Sequence, residues 1–309
     1  MSPILFIIQL ILVPALSPLI IGVTRKIKAR FQNRSGASVY QPYYDLWKLF
    51  HKDEVISETS SWIFRYTPYL LFALTIVMAA GVPFISTAAT SHYLGDFLVF
   101  VYLVAFGTFF LALAGLDTGS AFGGTGSSRE MTVAALTEGG FIFSLFAVSL
   151  VAGSANFSDM VNSLSTVPLY SFAPILIAFA AFYIVILAEN ARYPFDNPAT
   201  HLELTMIHEA MILDYSGKRL ALVEWAAANK FLIFISIGVS VFFPWGIAQD
   251  AGVAAVAIAL MLYVVKVLIV AASVAVLESS IAKLRFFRLP DLLLTSLVLG
   301  TIAIVLTII

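Results

Sequence analysis

No cysteine occurs among the 309 residues, and Lys, Arg, Asp and Glu together make up only 11%. Without thiols the chain can form no disulfide and can hold no iron–sulfur cluster through thiolates. Four histidines leave few ligands for a haem or transition-metal site. The shortage of charge excludes more. Ordinary soluble proteins carry about 25% charged residues, because a soluble fold must cover itself with polar groups. This chain is 61% hydrophobic, with a mean hydropathy of +0.97. A water-soluble globule is excluded, and the sequence reads as an all-α integral membrane protein. A net charge of −1 gives no pull toward nucleic acid. If electrons take part in its function, partner subunits carry them.

A helix crossing the hydrocarbon core needs about 20 apolar residues. Eight stretches qualify, at about 3–24, 68–89, 96–116, 131–153, 170–190, 229–248, 252–277 and 289–308. None reads as alternating ten-residue segments, which excludes a β-barrel pattern. Basic residues set the topology. Arg25, Lys26, Lys28, Arg30, Arg34, Lys48, Lys52 and Arg65 lie between the first two stretches, and Arg129 lies between the third and fourth. Arg192, Lys218, Arg219 and Lys230 follow the fifth; Lys283, Arg285 and Arg288 follow the seventh. The remaining connections contain no Lys or Arg. The positive-inside rule therefore predicts eight transmembrane helices with both termini outside. The start, MSPILFIIQL, lacks the basic n-region of a cleavable signal and reads as a retained first helix. Without a repeat or a soluble segment, 1–309 reads as one membrane domain.

Two predicted cytoplasmic loops are long, about 25–67 and 191–228. In the first, Tyr43, Leu46, Trp47 and Phe50 fall at helical spacing, with Asp45, Lys48 and Lys52 elsewhere on the wheel. That pattern suits an amphipathic helix on the membrane surface or against a partner. Arg25, Lys26 and Lys28 read as topology anchors touching lipid, and the stretch from Arg34 to Lys48 as a docking surface. The second loop carries Glu189, Asp196, Glu203, Glu209 and Asp214 around Pro194 and Pro198, with a helix expected from near Thr200 to just before Gly217. His201 and His208 would share a face, but spacing fixes no third metal ligand. The loop reads instead as a chain of titratable groups leading toward the bilayer.

Ionisable groups at membrane depth mark ion paths, because they are costly to bury. Glu138 sits about two turns inside the fourth stretch, below Arg129 and Glu130 at its mouth; Lys266 lies near the middle of the seventh; Glu189 closes the fifth. Glu278, Asp291 and Asp96, at stretch ends, read as interfacial.

Three blocks of sequence carry a resemblance: RKIKARFQNRSG…QPYYDLWKLFHKDE, GLDTGSAFGGTGSSREMTVAALTE and AENARYPFDNPATHLELTMIHEAMILDYSG. They resemble the eight-helix membrane subunit that anchors the peripheral arm in respiratory complex I and in energy-converting membrane-bound [NiFe] hydrogenases. Departures point to the hydrogenase branch, of the formate hydrogenlyase type. The segment from Arg34 to Gln41 is short here, whereas complex I has a longer glycine-rich one. Complex I places three glutamates after the Pro-Phe-Asp motif; here those places hold Ala199, His201 and Glu203. An arginine stands in complex I where Glu278 stands here. The resemblance implies a coupling subunit with no redox centre of its own. The [NiFe] site and iron–sulfur clusters would lie in hydrogenase large and small subunits and a ferredoxin-like subunit, beside antiporter-like membrane subunits, in a prokaryotic cell membrane. By position, Arg25, Arg34, Gln41, Asp45 and Lys48 match the docking loop, and Arg30 and His201 are assigned to the same surface. Glu138, Glu189, Arg192, Asp196, Glu203 and Lys266 match the charged relay, and Arg129, Glu130 and Asp214 are assigned to it as well. A quinone-site subunit of complex I, a sulfur-reducing complex and, in another class, a stand-alone transporter are the competing readings.

Overall fold

A computed structural model describes residues 3–168, 172–196, 206–248 and 252–309. Eleven α-helices are formed among the described residues: α1 Pro3–Phe31, α2 Gln41–Phe50, α3 Trp62–Gly81, α4 Phe97–Asp117, α5 Ala121–Ala152, α6 Phe157–Leu164, α7 Ala173–Glu189, α8 His208–Ile212, α9 Gly217–Val241, α10 Val253–Ser280 and α11 Leu289–Ile308. The described residues contain no strand, only two isolated bridges. Seven helices (α1, α3, α4, α5, α9, α10 and α11) are long and apolar enough to cross a membrane, and α7 is a shorter apolar helix. This is an all-helical, multi-pass membrane protein.

Helix starts follow local chemistry. The side chains of Ser61, Asp96, Ser120 and Asn156 accept from backbone N–H groups in the first turns of α3, α4, α5 and α6. Pro42, Pro174 and Pro290 occupy the first turns of α2, α7 and α11, where no intrahelical N–H is needed. Two prolines sit inside α1, Pro14 and Pro18. Pro18 has no N–H to give the carbonyl of Pro14, four residues back. Trp225 Nε1 of α9 donates to that carbonyl instead, at 2.9 Å. The hydroxyl of Tyr43 in α2 donates to the next carbonyl, that of Ala15. The proline that breaks the ladder thus ties α2 and α9 to α1.

Polar sequence concealed several helix boundaries. α1 runs to Phe31 and α3 begins at Trp62, so the first loop is shorter than 25–67. α5 begins at Ala121, not near 131, and Arg129 and Glu130 stand inside the helix, not at its mouth. Its Gly/Ser/Thr-rich first turns read as loop, yet they are helical because neighbours need the room. A Cβ on Gly126 would come within 2.8 Å of Ala210 Cβ and 2.9 Å of the Ile207 carbonyl oxygen, so its absence lets α8 lie on α5. Gly217 starts α9; it does not end the preceding helix. Its φ of +53° suits glycine, and a Cβ there would approach Asp53 O to 2.9 Å. The described part of the helix expected before it is α8, five residues long, and 197–205 lies outside the described residues.

Helix ends collect at two poles. At the basic pole meet the C-terminal ends of α1, α4, α7 and α10 and the N-terminal ends of α3, α5, α9 and α11. Asp117 Oδ2 accepts from the N–H groups of Ser61 (2.7 Å) and Phe64 (3.2 Å), and Arg219 pairs with Glu54. At the opposite pole the first turns of α1 meet the segment after α3, where the side-chain oxygen of Gln9 accepts from the N–H groups of Ile85 and Ser86. Between the poles, Phe100, Phe141, Phe182 and Phe234 pack ring against ring in the core.

Candidate functional site

α7 stops at Glu189 in a Schellman turn. The N–H of Arg192 donates to Leu187 O (2.9 Å) and that of Ala191 to Ala188 O (3.2 Å). The left-handed position, usually glycine, is Ala191 at φ +49°. This turn folds Arg192 back beneath the helix, where it is buried, with its guanidinium 4.2 Å above the ring of Phe231. There Arg192 Nη1 meets Glu278 Oε1 at 3.4 Å, while Lys28 Nζ meets Glu278 Oε2 at 3.2 Å. Lys28 also stands 4.6 Å from the Tyr193 ring centre.

Two further pairs lie beside this one. Glu189 Oε2 and Lys230 Nζ are 2.7 Å apart, and Asp196 Oδ1 and Lys283 Nζ 2.8 Å apart. The other oxygen of Asp196 accepts from the N–H groups of Ile207 and His208, both at 3.1 Å, and so anchors α8. Side-chain exposure of Glu278, Asp196 and Glu189 is 2%, 2% and 5%. Carboxylates this deep are held only by paired charges and donated hydrogen bonds.

The row of charges extends in both directions. Glu130 of α5 lies within electrostatic reach of Lys230, Glu189 and Asp196. Glu138, about 12 Å further along α5, is coupled to Glu189 and makes no hydrogen bond or ion pair among the described residues. On α8, burial and the nearby Lys230 push His208 down to about 4. Burial, reinforced by Glu224 and Asp196, pushes Glu209 up to about 7. Glu209 therefore exchanges its proton near neutrality. The arrangement can pass protons or steer cations along alternating acids and bases. Among the described residues no three His, Asp or Glu side chains are grouped to hold a metal.

A sequence profile of the family described as NADH dehydrogenase matches residues 3–309. The chain belongs to this family. It is 33% identical to formate hydrogenlyase subunit 4 of Escherichia coli K12 over 285 residues, covering 92% of each chain. It is 34% identical to hydrogenase-4 component C of the same organism over 281 residues, 90% of this chain and 87% of the other. Identity to an NADH-quinone oxidoreductase subunit from Paraburkholderia phymatum is 29% over 226 residues, 69% of this chain and 62% of that one. A chain in the structure of the membrane-bound sulfane sulfur reductase, an archaeal respiratory membrane complex, shares the fold at a TM-score of 0.84 and 19% identity, covering 99% of this chain and 100% of that one.

For this NADH dehydrogenase family member, the structure gathers some of the residues expected from sequence and scatters others. Arg129, Glu130, Glu138, Glu189, Arg192 and Asp196 lie in or beside one row, Arg129 through its 3.1 Å bond to Met206 O. Asp214 is exposed on the surface. Lys266 is not brought to the acids. Its Nζ donates to the carbonyls of Phe243 (2.6 Å) and Trp245 at the end of α9, roughly 18 Å along α10 from Glu278. His201 and Glu203 lie outside the described residues.

Of the docking residues, Gln41 Nε2 donates to Asp45 Oδ1 (2.8 Å) and Arg25 faces Asp45 at 3.9 Å, while Arg30, Arg34 and Lys48 are exposed. α2 is amphipathic as expected, with Phe50 against Trp225, but Trp47 is 68% exposed and does not join the packed face. Sequence reasoning missed Glu278, Lys28 and Lys283. Lys28 read as a lipid anchor and Glu278 as interfacial, yet they pair with each other. The reversed charge at Glu278 relative to complex I was the one signal that could have found it.

Proposed function

We propose that this chain is the membrane-anchoring and coupling subunit of a membrane-bound [NiFe] hydrogenase complex of the formate hydrogenlyase type. It crosses the membrane eight times as one domain, with α7 as the fifth crossing and both termini outside. The basic pole then faces the cytoplasm, as the positive-inside rule requires. Arg25, Arg30, Arg34, Gln41, Asp45 and Lys48, at and around α2, form the landing surface for the hydrophilic arm, and His201, outside the described residues, is assigned to the same role. That arm holds the nickel–iron centre and iron–sulfur clusters in large, small and ferredoxin-like subunits, and antiporter-like subunits lie alongside in the membrane. Electron flow from formate or ferredoxin to protons drives proton or sodium-ion movement through Glu130, Glu138, Glu189, Asp196 and Glu203. Arg129 and Arg192 set the field of that path.

One observation carries the reading: buried, paired carboxylates gather where α1, α7, α9 and α10 meet, and α2 is tied to α1 on the same side through Arg25 and Asp45. The similarity over 92% of formate hydrogenlyase subunit 4 supports the branch. Extraction in mild detergent tests the assembly; nickel and iron are expected to copurify with the chain, and a chain that purifies alone refutes it. Glu138→Gln tests the path. Ion uptake per hydrogen formed in inverted vesicles is expected to fall at least fivefold, and an unchanged ratio removes Glu138 from the path.

A further inference from the structure

Glu278 occupies a position that neither the relay nor the docking surface accounts for. It is one buried carboxylate shared by two cations from different parts of the chain, Lys28 of α1 and Arg192 below α7. Each oxygen serves one partner, so neither cation can be satisfied by the other oxygen without losing its geometry. Lys28 lies three residues after Arg25, on the same face of α1. Arg25 in turn faces Asp45, which also accepts from Gln41 within α2. Arg192 lies within electrostatic reach of Arg25 as well as of Glu278. α2 is therefore linked to α1 through Asp45 and Arg25, and α1 is linked through Lys28 to Glu278, Arg192 and the turn that ends α7 at Glu189; Arg25 and Lys28, like in charge, are joined by the helix itself.

Charge counting makes the junction sensitive. Two largely buried cations share one buried anion, leaving an excess positive charge where the dielectric is low. Removing the anion leaves both cations unpaired, which is strongly unfavourable. Arg192 has limited freedom, since Phe231 stacks on its guanidinium and the Schellman turn fixes its backbone. The response is then movement of the turn itself, and with it Glu189 and Asp196. A buried pair is a poor source of stability compared with apolar packing. A structural clamp alone does not require a carboxylate here.

We propose that Glu278 is a positioning residue that transmits displacement of α2 to the acid row by holding Lys28 and Arg192 on one carboxylate. This rests on the coupling function proposed above. It adds a residue and a direction, from the docking helix inward.

The test uses the intact complex in inverted membrane vesicles, with hydrogen evolution driven by a reduced viologen and uptake of protons and of sodium ions measured together. Glu278→Gln is expected to lower the ions moved per hydrogen at least fivefold, with the arm still membrane-bound. Glu278→Asp, which keeps the charge, is expected to recover at least half of the ratio. An unchanged ratio in Glu278→Gln overturns the inference. So does release of the arm to the soluble fraction, which makes Glu278 a clamp. Wild type, measured alongside, separates the two levels: if its hydrogen evolution drives no uptake of either ion, the coupling function itself fails. Hydrogen–deuterium exchange of the detergent-purified protein gives a readout independent of activity. In Glu278→Gln, amides of 41–50 and of 190–196 are both expected to exchange faster, and acceleration confined to 190–196 overturns the proposed link to α2.

Discussion

The two poles of the molecule are held together by different means. At the basic pole, ion pairs join elements far apart in sequence: Lys28 to Glu278, Glu189 to Lys230, Asp196 to Lys283, Glu54 to Arg219. At the opposite pole, neutral groups do the same work. Gln9 accepts from the N–H groups of Ile85 (2.9 Å) and Ser86 (3.2 Å), Asn156 donates to His92 O, and Ser86 bridges Ala248. Lys266 is the exception, and its partners are backbone carbonyls, not acids. Neutral ties suffice to close a helical bundle. Buried charge is more costly than either hydrogen bonds or apolar packing, and it is concentrated at the basic pole, where the proposed ion path lies.

The largest effect is expected where one charge serves both as ion partner and as backbone anchor. Asp196→Ala leaves Lys283 without this partner and strips the N–H groups of Ile207 and His208 of their acceptor. A loss of about 3–5 kcal/mol is expected for breaking a buried pair from one side. Unfolding in detergent measures it, together with faster exchange of the α8 amides. Protection of α8 unchanged from wild type would contradict the anchoring role.

A smaller effect separates the poles by pH. Glu209 has its carboxyl raised from 4.5 to about 7, so the folded form keeps its proton to higher pH than the unfolded chain. Its stabilising contribution is complete below pH 4.5 and is lost as pH rises through 7. His208, lowered from 6.5 to about 4, runs the other way: its contribution is present above pH 6.5 and is lost as pH falls through 4. Between pH 5.5 and 8 Glu209 is therefore expected to take away about 1–2 kcal/mol after allowing for its partial exposure, while His208 returns about 1 kcal/mol over the same range. Glu209→Gln is expected to remove that loss and leave only the rise set by His208. An identical pH profile in the variant would place the titration elsewhere.

At the opposite pole, Lys266→Met sharpens the comparison. It removes donors to the carbonyls of Phe243 and Trp245 but leaves an apolar stem to pack. A stability loss of about 1–2 kcal/mol is expected, with ion uptake per hydrogen within twofold of wild type. A collapse of that ratio would return Lys266 to the ion path.

How much of this was legible in the sequence depends on the kind of signal. Apolar runs marked every long helix, because the bilayer demands a minimum length of hydrocarbon-soluble residues. Helix starts at Ala121 and Gly217 were hidden, since glycine and serine serve close packing there and read as loop. Glu138, Glu189 and Asp196 stood out as acids beside apolar sequence. The cations of the buried pairs did not. Lys28, Lys230 and Lys283 lie 250, 41 and 87 residues from their partners, separations over which periodicity carries no information. Lys266 was placed correctly at mid-helix, but an isolated lysine does not disclose whether an acid or a carbonyl awaits it.

The subtlest expected effect concerns the turn that delivers Arg192. A non-glycine residue in the left-handed region carries a strain of about 1–2 kcal/mol, and Ala191 carries it at φ +49°. Glycine would relieve that strain while adding freedom to the unfolded chain, a partial offset. Ala191→Gly is therefore expected to stabilise the protein by about 0.5–1 kcal/mol in detergent unfolding. The turn's hydrogen bonds to Leu187 and Ala188 do not involve the methyl group, so the backbone path is expected to persist. If the alanine serves only the fold, coupling should match wild type. If the methyl group stiffens the link between α7 and Arg192, ion uptake per hydrogen should fall even as stability rises. The two measurements on one variant thus decide whether the strain at this pole is tolerated or used.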